Sequence, residues 1–451
     1  MDTIYAQSSG AGTAGVAVVR VSGPDADPLL AALGVSPLPA PRYAALHKLR
    51  AKVTRPDGDR GRDEALDQAL VLRFPAPASF TGEDVAELHV HGGRAVLAGL
   101  FDAIGATGLA RHAEPGEFTR RAFENGKLDL TAAEGLADLV AAQTDAQRRL
   151  ALRQYDGALA DLYEGWRARL IDLMGHAEAE IDFSDEELPA GLKAETDAQI
   201  ARLQAEITQH IVDADVGDHI RSGFPIVILG APNVGKSSLL NHLAQRDAAI
   251  VSERAGTTRD VLEVQLNLGG FTVSLADTAG LRAASDAIEA EGVRRAAARA
   301  ADAALRLVVL DATQATVPAE VHGLLAGPCL VVANKADLLN GPYRPPDLPG
   351  ETPPLPVSAA TGEGLADLLS RLTSHVSDRL GAAETPVPTR QRHREALAEA
   401  GDALARVSGA AFPELAAEEV RMALRALGRI TGRVDIDDIL DTVFRDFCIG
   451  K

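Results

Sequence analysis

The chain has 451 residues, of which 46% are hydrophobic and 24% charged, and its 45 basic and 64 acidic side chains give a net charge of −19. This length excludes a single small domain, and the composition excludes wholesale disorder because there is enough apolar surface for several cores. The acidic balance excludes a protein that coats nucleic acid with a uniformly basic surface.

The cysteines and the first residues indicate the compartment. Cys329 and Cys448 are the two cysteines, too few for a disulfide framework or a four-cysteine zinc site, which favours a reducing compartment. The start, MDTIYAQSSG, lacks the basic segment and apolar core of a signal peptide. The longest apolar runs have the length of strands and fall far short of the ~20 residues that span a bilayer. We therefore expect a cytoplasmic protein without a membrane span.

Changes in residue pattern along the chain predict a multidomain α/β and α protein. Short β-like runs between Gly, Pro and Asp clusters come first and indicate an α+β domain. Long Ala-, Leu-, Glu- and Arg-rich stretches with helical spacing follow, then strand-like and helical runs that alternate as in a largely parallel sheet, then helical spacing again. The predicted domains are an α+β domain (1–118), a helical domain in two parts (119–217 and 386–451) and an α/β domain inserted between them (218–385).

The run PIVILGAPNVGKSSLLNHL predicts a phosphate-binding loop. A buried strand precedes G-x-x-x-x-G-K-S and a helix follows it, which is the context that this motif requires. Gly230 and Gly235 allow backbone N–H groups to curl around phosphate oxygens, Lys236 reaches the β- and γ-phosphates, and the Ser237 hydroxyl can ligate Mg²⁺. A glycine-rich turn that merely closes a hairpin would leave Lys236 unexplained.

Four further motifs, AGTTRD, DTAG, NKAD and SAA, follow in the order that a GTPase of the Ras-like class requires. Asp277 ends the strand FTVSLAD, where its carboxylate can hold the magnesium shell, and the Gly280 N–H can meet the γ-phosphate. Asp337 can accept from the ring N–H and the amino group of guanine, a donor pair that adenine lacks. The chain is therefore predicted to bind GTP.

The base side of this site is predicted from the strand ends. Asn334 and Lys335 follow the strand CLVVA, and the Lys335 stem would pack over the base. Ser358 and Ala359 follow the strand LPVSA and would offer backbone donors to the guanine oxygen.

Two groups that assist hydrolysis in other GTPases are missing from these motifs. Leu281 follows DTAG, where small GTPases of the Ras type place the glutamine that orients the attacking water. The nearest candidates for an arginine finger, Arg259 and Arg282, are as readily explained as solvated residues. Charge that develops between the β- and γ-phosphates therefore needs another cation.

The segments APNVGKSSLLN, AAIVSERAGTTRDV, DTAGLR and the terminal FCIGK closely resemble the tRNA modification GTPase family MnmE, also called TrmE. DTIYAQSS, GVAVVRVSG, SFTGEDVAELHVHGG and RHAEPGEFTRRAFENGKLDL extend the resemblance over essentially the whole chain. It implies a homodimeric GTP hydrolase. With the flavoprotein MnmG (GidA) and a folate one-carbon donor, it would add a carboxymethylaminomethyl-type group at carbon 5 of the wobble uridine of certain tRNAs.

The resemblance also implies how GTP is hydrolysed. K⁺ takes the place of the arginine finger and activates hydrolysis, which drives G-domain dimerisation and conformational change. Glu289 orients the water, with Glu291 close enough to be confused with it. Ser252 stands where threonine is more usual, so either its side chain or a backbone carbonyl would serve as a ligand. The expected K⁺ ligands are Asn233, Ser252, Arg254 and Thr257, and those of Mg²⁺ are Ser237 and Thr258. The expected GTP contacts are Asn233, Val234, Gly235, Lys236, Ser237, Ser238, Ser252, Thr257, Thr258, Asp277, Thr278, Ala279, Gly280, Asn334, Lys335, Asp337, Ser358 and Ala359.

In the N-terminal domain the resemblance implies dimerisation and a site for 5-formyl-tetrahydrofolate or a related folate. The expected contacts are Arg20, Glu87, Lys127 and Lys451. A pterin ring offers amidine-like donors that suit Glu87, and an anionic glutamate tail suits Arg or Lys, although from the residues alone each would be a surface ion pair. Cys448 is a family feature with a role in tRNA modification or, alternatively, a small buried hydrophobe.

Several other features receive ordinary structural interpretations. His89 and His91 point to one face of a strand without a third nearby ligand, which favours packing or hydrogen bonding over a metal pair. The run RQRHR at 390–394 either faces tRNA or begins a helix, and the second is preferred. The competing functions are a ribosome-assembly GTPase, which would need an RNA-binding appendage, and a nucleotide-gated scaffold that does no chemistry on RNA.

Overall fold

The structure is a computed structural model. It describes residues 1–53, 62–182, 192–245, 263–277, 303–314, 316–317, 319–325, 327–346, 348, 353–381, 386–434, 440, 443–444, 447 and 450. The chain divides into two compact units. The first unit comprises Met1–Ala137 with Leu427–Lys451, and the second comprises Asp138–Ala426.

A six-stranded sheet forms the centre of the first unit. Its strands are β1 (Ile4–Gln7), β2 (Ala14–Ser22), β3 (Ala45–Val53), β4 (Arg62–Phe74), β5 (Val85–Gly92) and β6 (Arg111–His112). They lie in the order β3-β4-β5-β2-β1-β6, and all neighbours are antiparallel except β1 and β6. The register places Arg20 of β2 directly opposite Glu87 of β5.

Side chains alternate between the two faces along each strand, so the apolar residues collect on one face of this sheet, which is buried. The helices α1 (Ala26–Ala32) and α2 (Arg94–Thr107) pack on it, and their leucines share one core with Val19, Val21 and Leu88. Each such side chain stabilises the fold by about 1.5–3 kcal/mol when fully buried. Since Arg20 and Glu87 alternate with these core residues, they project from the opposite face.

Two further helices complete the first unit, α3 (Glu117–Glu124) and the beginning of α4 (Leu130–Ala141). Phe118 of α3 packs with Ile4 and Ala6 of β1 in a small separate cluster. At Gly116, which caps α3 with φ of 70°, an added Cβ would lie 2.6 Å from the Phe444 carbonyl oxygen. Glycine is required there both by the backbone conformation and by this close approach.

The second unit contains helices before, within and after a second sheet. They are α5 (Asp145–Tyr155), α6 (Ala158–Asp182), α7 (Leu192–Val212), α8 (Ala214–Ser222), α9 (Lys236–Ala244), α10 (Ala319–His322), α11 (Leu365–Leu380), α12 (Gln391–Val407) and α13 (Pro413–Thr431), the last of which continues into the first unit. Tyr163 of α6 and His210 of α7 form a buried hydrogen bond of 3.1 Å. Burial lowers the pKa of His210 to about 4, so it is neutral at pH 7.

The second sheet also has six strands. They are β7 (Phe224–Leu229), β8 (Glu263–Leu268), β9 (Phe271–Asp277), β10 (Leu305–Asp311), β11 (Cys329–Asn334) and β12 (Leu355–Pro356). Their order is β12-β11-β10-β7-β9-β8, and only the β8–β9 pair is antiparallel. The carboxyl ends of β7, β10 and β11 therefore meet at one edge, where open α/β sheets bind ligands.

Helices of the second unit pack against this sheet near the β8–β9 turn. The Ala146 N–H of α5 donates to the Gly270 carbonyl oxygen at 3.1 Å, and Thr272 Oγ1 donates to Thr144 Oγ1 at 3.3 Å. Leu150 of α5 joins the same core as the central strands. Sheet and helices thus share one hydrophobic core within this unit.

The secondary structure confirms the predicted α+β, helical and α/β character of successive segments. RQRHR does begin a helix, since α12 starts at Gln391, while Arg390 and Arg394 pair with Asp138 (2.7 Å) and Asp215 (2.8 Å). Among the residues described, no helix combines the length and apolarity needed to cross a bilayer. The insertion of the α/β domain and its boundaries stay predictions.

Candidate functional site

The glycine-rich loop after β7 has a backbone that most side chains could not adopt. Gly230, Asn233 and Gly235 have φ values of 148°, 63° and 97°, in the region that L-residues avoid. An added Cβ at Gly230 would lie 2.3 Å from the Val309 carbonyl oxygen. The loop therefore curls tightly against β10 before α9 begins at Lys236.

Lys236 lies inside this loop. Its side chain is buried, and Nζ donates to the carbonyl oxygens of Gly230 and Ala231, each at 2.9 Å. Ser237 and Ser238 follow in the first turn of α9, where the direction of the backbone N–H groups and the helix dipole favour an anion. The loop thus combines a positive charge with helix N–H groups, as a phosphate site requires.

Asn334, the last residue of β11, joins the phosphate loop to the base-side loop. Its Nδ2 donates to the Val234 carbonyl oxygen at 2.8 Å, and its Oδ1 accepts from the Ala359 N–H at 2.9 Å. Asn334 itself is 2% exposed. A buried carboxamide therefore sets the spacing between the two loops that the sequence assigned to phosphate and to guanine.

Asp337 and Ser358 meet on the base side. The Ser358 hydroxyl donates to Asp337 Oδ1 at 2.6 Å and accepts from the Thr361 N–H at 3.1 Å. Ser358 is fully buried, whereas Asp337 is exposed. One carboxylate oxygen is thereby oriented by a buried hydroxyl, and the residue lies where a base could reach it.

Lys335 pairs with Asp311 at the end of β10. Lys335 Nζ lies 2.7 Å from Asp311 Oδ2, and Asp311 Oδ1 accepts from the N–H and the hydroxyl of Thr313 at 3.0 and 2.6 Å. Burial disfavours the charged form of Asp311, but the hydrogen bonds from Lys335 and Thr313 outweigh it and hold the pKa of that carboxyl below its usual value.

Several other residues predicted for the nucleotide site are described only in part or lie outside the described residues. Asp277 ends β9, opposite Ile228 of β7, and its backbone position is described while its side chain is not. Those outside the described residues are Ser252, Arg254, Thr257, Thr258, Thr278, Ala279, Gly280, Leu281 and Glu289, with the alternatives Arg259, Arg282 and Glu291.

Arg20 and Glu87, predicted as folate contacts, are brought together in the first unit. Arg20 Nη2 and Nε donate to Glu87 Oε1 at 2.9 and 3.2 Å, while Glu87 Oε2 lies 3.4 Å from His89 Nε2. The guanidinium carbon lies 5.1 Å from the centroid of the Phe80 ring and 5.8 Å from that of Phe118. Two aromatic rings and a carboxylate thus fix the arginine.

Lys127 lies beside the segment that carries Phe80. Its Nζ donates to the Pro77 carbonyl oxygen at 3.1 Å, and an added Cβ on Gly82 would lie 3.4 Å from its methylene groups. Gly450 packs so closely on β1 that an added Cβ would lie 2.0 Å from the Gln7 carbonyl oxygen. Cys448 and Lys451 themselves lie outside the described residues.

The sequence motifs do not identify three residues that lie in the candidate sites of the structure. Phe80 and Phe118 stand in the segments SFTGED and GEFTRR, but an aromatic residue ordinarily predicts core packing rather than a contact with arginine. Asp311 had a usable signal, since an acidic residue that ends the apolar strand LRLVVL lies at the ligand-binding edge of a parallel sheet.

The chain is similar in sequence to curated proteins of one family over its full length. A tRNA modification GTPase MnmE of Paramagnetospirillum magneticum is 54% identical over 451 residues, covering 100% of both chains. Another, of Parvibaculum lavamentivorans, is 53% identical over 457 residues and also covers 100% of both. Among solved structures, Aquifex aeolicus Era matches with a TM-score of 0.28 and 26% identity over 40% of this chain and 66% of its own.

The loop that holds Lys236 and the base-side loop joined to it by Asn334 define a P-loop protein of the GTPase class. The family model described as MnmE helical domain matches residues 130–448, and the one described as GTP-binding protein TrmE N-terminus matches residues 3–127. With relatives of about half identity over its full length, the chain belongs to the MnmE (TrmE) family and is a GTP hydrolase.

Proposed function

We propose that this GTP hydrolase is a potassium-activated, homodimeric and cytoplasmic tRNA modification enzyme. It acts with MnmG to add a carboxymethylaminomethyl-type group at carbon 5 of the wobble uridine of certain tRNAs. The observation that carries the proposal is that one chain combines a phosphate loop joined by Asn334 to the base-side loop with an arginine–carboxylate pair whose guanidinium lies close to two aromatic rings. Full-length relatives named tRNA modification GTPases support tRNA as the substrate.

In the proposed arrangement, residues 218–385 form a G domain inserted into a helical domain. GTP hydrolysis in the G domain would drive dimerisation of G domains and a conformational change in the helices. The packing of α5 against the β8–β9 turn supports such a route, because this turn joins the strand after AGTTRD to the strand before DTAG.

The nucleotide site is proposed to hold GTP with Mg²⁺. Lys236 would bind the β- and γ-phosphates, Ser237 and Thr258 would ligate Mg²⁺, and Asp337 would accept from guanine. The cradle fits phosphate because Gly230 leaves no room for a Cβ and Lys236 lies within it. Glu289 is proposed to orient the attacking water. It would take the role of the glutamine that Ras-type GTPases carry at the position where this chain has Leu281.

Potassium is proposed to stabilise the charge between the β- and γ-phosphates. The ligand oxygens would come from side chains or backbone of Asn233, Ser252, Arg254 and Thr257, and oxygen donors suit a hard cation. Asn233 belongs to the phosphate loop, between Gly230 and Lys236, so its carboxamide oxygen is carried by the loop that would hold the β- and γ-phosphates.

We expect GTP turnover by the full-length protein to be about tenfold or more faster in K⁺ than in Na⁺ at equal ionic strength. A cation matched in size to the ligand cage supplies transition-state charge stabilisation, whereas the smaller Na⁺ fits it poorly. The measurement is steady-state phosphate release, with GDP affinity in both salts as the control. Equal turnover in the two salts would rule out the potassium mechanism.

The first unit is proposed to bind 5-formyl-tetrahydrofolate, which supplies a one-carbon unit. Glu87 would accept from the amidine-like edge of the pterin, and Arg20, Lys127 and Lys451 would bind its anionic groups. The residues fit such a ligand, because a carboxylate, a guanidinium and the Phe80 ring lie side by side. His89 faces the second oxygen of Glu87 and would help to orient it.

Replacing Glu87 by glutamine is expected to weaken 5-formyl-tetrahydrofolate binding about tenfold. The substitution keeps the shape but removes the charge, and a hydrogen bond to a charged group is about twice as strong as a neutral one. Calorimetric titration measures the affinity, and mass spectrometry of tRNA nucleosides measures wobble-uridine modification, which should fall in parallel.

The matched control is the substitution Asp67→Asn. Asp67 is a carboxylate on the adjacent strand β4 that pairs with His91 at 2.7 Å, and its replacement should leave folate affinity unchanged. Wild-type affinity in Glu87→Gln would contradict the folate site. An unchanged nucleoside profile in cells that lack the chain would contradict the modification function and favour a scaffold.

A further inference from the structure

Asp311 is a carboxylate with three hydrogen bonds at the ligand-binding edge of the second sheet. Its Oδ1 is held by the N–H and the hydroxyl of Thr313, and its Oδ2 faces Lys335 Nζ at 2.7 Å. The Asp311 side chain is 9% exposed, against 33% for Lys335. The acid is therefore the fixed partner in this ion pair, and the lysine is the one that it orients.

The backbone at Lys335 explains why its side chain needs such an anchor. Lys335 has φ of 68°, a left-handed conformation that non-glycine residues rarely adopt. The chain turns there because the Ala336 N–H donates to the Val357 carbonyl oxygen at 3.0 Å and a short 3-10 turn, Ala336–Leu338, begins. The turn presents Asp337 but leaves the long Lys335 side chain at a partly exposed position.

The strand order gives the direction in which the Lys335 stem runs. Asp311 of β10 is opposite Asn334 of β11, and β10 lies between β11 and β7, which leads into the phosphate loop. A stem that starts after β11 and ends at Asp311 thus runs from the base-side loop toward the phosphate loop. A nucleotide that spans the ends of β7 and β11 would lie along it, with the methylene groups against the face of its base.

We propose that Asp311 is a positioning residue for guanine nucleotides, which holds the Lys335 stem in place as a platform for the base. This inference rests on the proposed role of the NKAD residues in guanine binding. Asp311 touches Lys335, not the nucleotide. Its contribution is preorganisation, because a lysine side chain that is ordered before the nucleotide arrives loses less conformational freedom on binding.

The test is the dissociation rate of a fluorescent GDP analogue from full-length protein. In Asp311→Ala the rate is expected to rise about tenfold, equivalent to about 1.4 kcal/mol. In Asp311→Asn, which keeps the acceptor for Thr313 and loses the charge, it is expected to rise about threefold. The matched control is the substitution Asp138→Asn, which removes the charge of another largely buried carboxylate, one that pairs with Arg390 at 2.7 Å, and should leave the rate unchanged.

A double-mutant cycle separates positioning from a purely structural role. Lys335→Met keeps an apolar stem without the ammonium, so adding Asp311→Ala to it should change the dissociation rate less than twofold. If the tenfold increase persists in the Lys335→Met background, Asp311 acts on the fold of the turn and the proposal is wrong. Unchanged dissociation in both single Asp311 variants would also overturn it.

The ratio of GTP affinity to ITP affinity distinguishes a failure of the positioning role of Asp311 from a failure of the proposed guanine site. ITP lacks the amino group that Asp337 would accept from, so Asp337→Ala should remove the preference for GTP. Asp311→Ala should weaken both nucleotides equally, because the stem contacts the face of the base. Retained GTP preference in Asp337→Ala would contradict the guanine site, whereas a changed ratio in Asp311→Ala would contradict only the positioning role.

Discussion

Replacing Lys236 by methionine is expected to lower the rate of GTP hydrolysis about 1000-fold. The ammonium is the positive charge within the loop, and removing one group that stabilises transition-state charge costs about 10²–10³ in rate. Methionine also cannot donate to the carbonyl oxygens of Gly230 and Ala231, so the curl of the loop loses two hydrogen bonds. Single-turnover phosphate release at saturating GTP measures the chemical step apart from nucleotide affinity.

The control for this substitution is Lys48→Met. Lys48 is an exposed lysine on β3 in the first unit, so the same change there should leave hydrolysis at the wild-type rate. Thermal unfolding of both variants tests whether the fold is retained. Hydrolysis by Lys236→Met within tenfold of the wild-type rate would contradict the phosphate role of Lys236.

Replacing Asn334 by alanine is expected to weaken GDP and GTP binding about 30-fold or more. The change leaves the Val234 carbonyl and the Ala359 N–H without their partner in a buried setting. Two unpaired buried groups cost about 2–6 kcal/mol, and nucleotide binding must then restore the loop spacing. Even the lower end of that range corresponds to about 30-fold in affinity.

Equilibrium titration with a fluorescent GDP analogue measures this loss, and hydrogen exchange at the Ala359 amide reports whether the bridge has opened. Asn125→Ala is the matched control, because Asn125 also donates through Nδ2 to a backbone carbonyl, that of Thr81, in the first unit. Its nucleotide affinity should equal that of the wild type. Wild-type affinity in Asn334→Ala would show that the bridge is dispensable.

Much of the fold followed from local patterns. The strand before the phosphate loop was predicted from its continuous apolar run, and β7 indeed comprises Phe224–Leu229 between parallel neighbours. Helical spacing predicts the helices that precede the second sheet in the chain and those that follow it. The sequence did not predict the division into two units, because no local pattern reports that residues 427–451 pack with residues 1–137.

The candidate site was predictable where a motif combines a fixed spacing with a required backbone conformation. Gly230, Gly235 and Lys236 are predicted in this way. The two glycines have positive φ values and the Lys236 ammonium donates to a carbonyl oxygen of the loop, while their contacts with phosphate stay predictions. Arg20 and Glu87 came only from the family resemblance, since 67 residues separate them in the chain. Asp311 belongs to no motif, and its proposed positioning role depends on Lys335, which is 24 residues away in the chain.

The sequence by itself determined the class of nucleotide site, the order of its loops and the family, because a glycine-rich loop, a strand and a helix are specified over short spans. The tertiary structure alone decided which side chains connect those loops. Asn334 acts as a bridge because parallel β7, β10 and β11 end at one edge of the sheet. Arg20 meets Glu87 and two aromatic rings because antiparallel pairing brings β2 beside β5. Such contacts depend on strand order and register, which are set by packing across the whole core rather than by neighbouring residues.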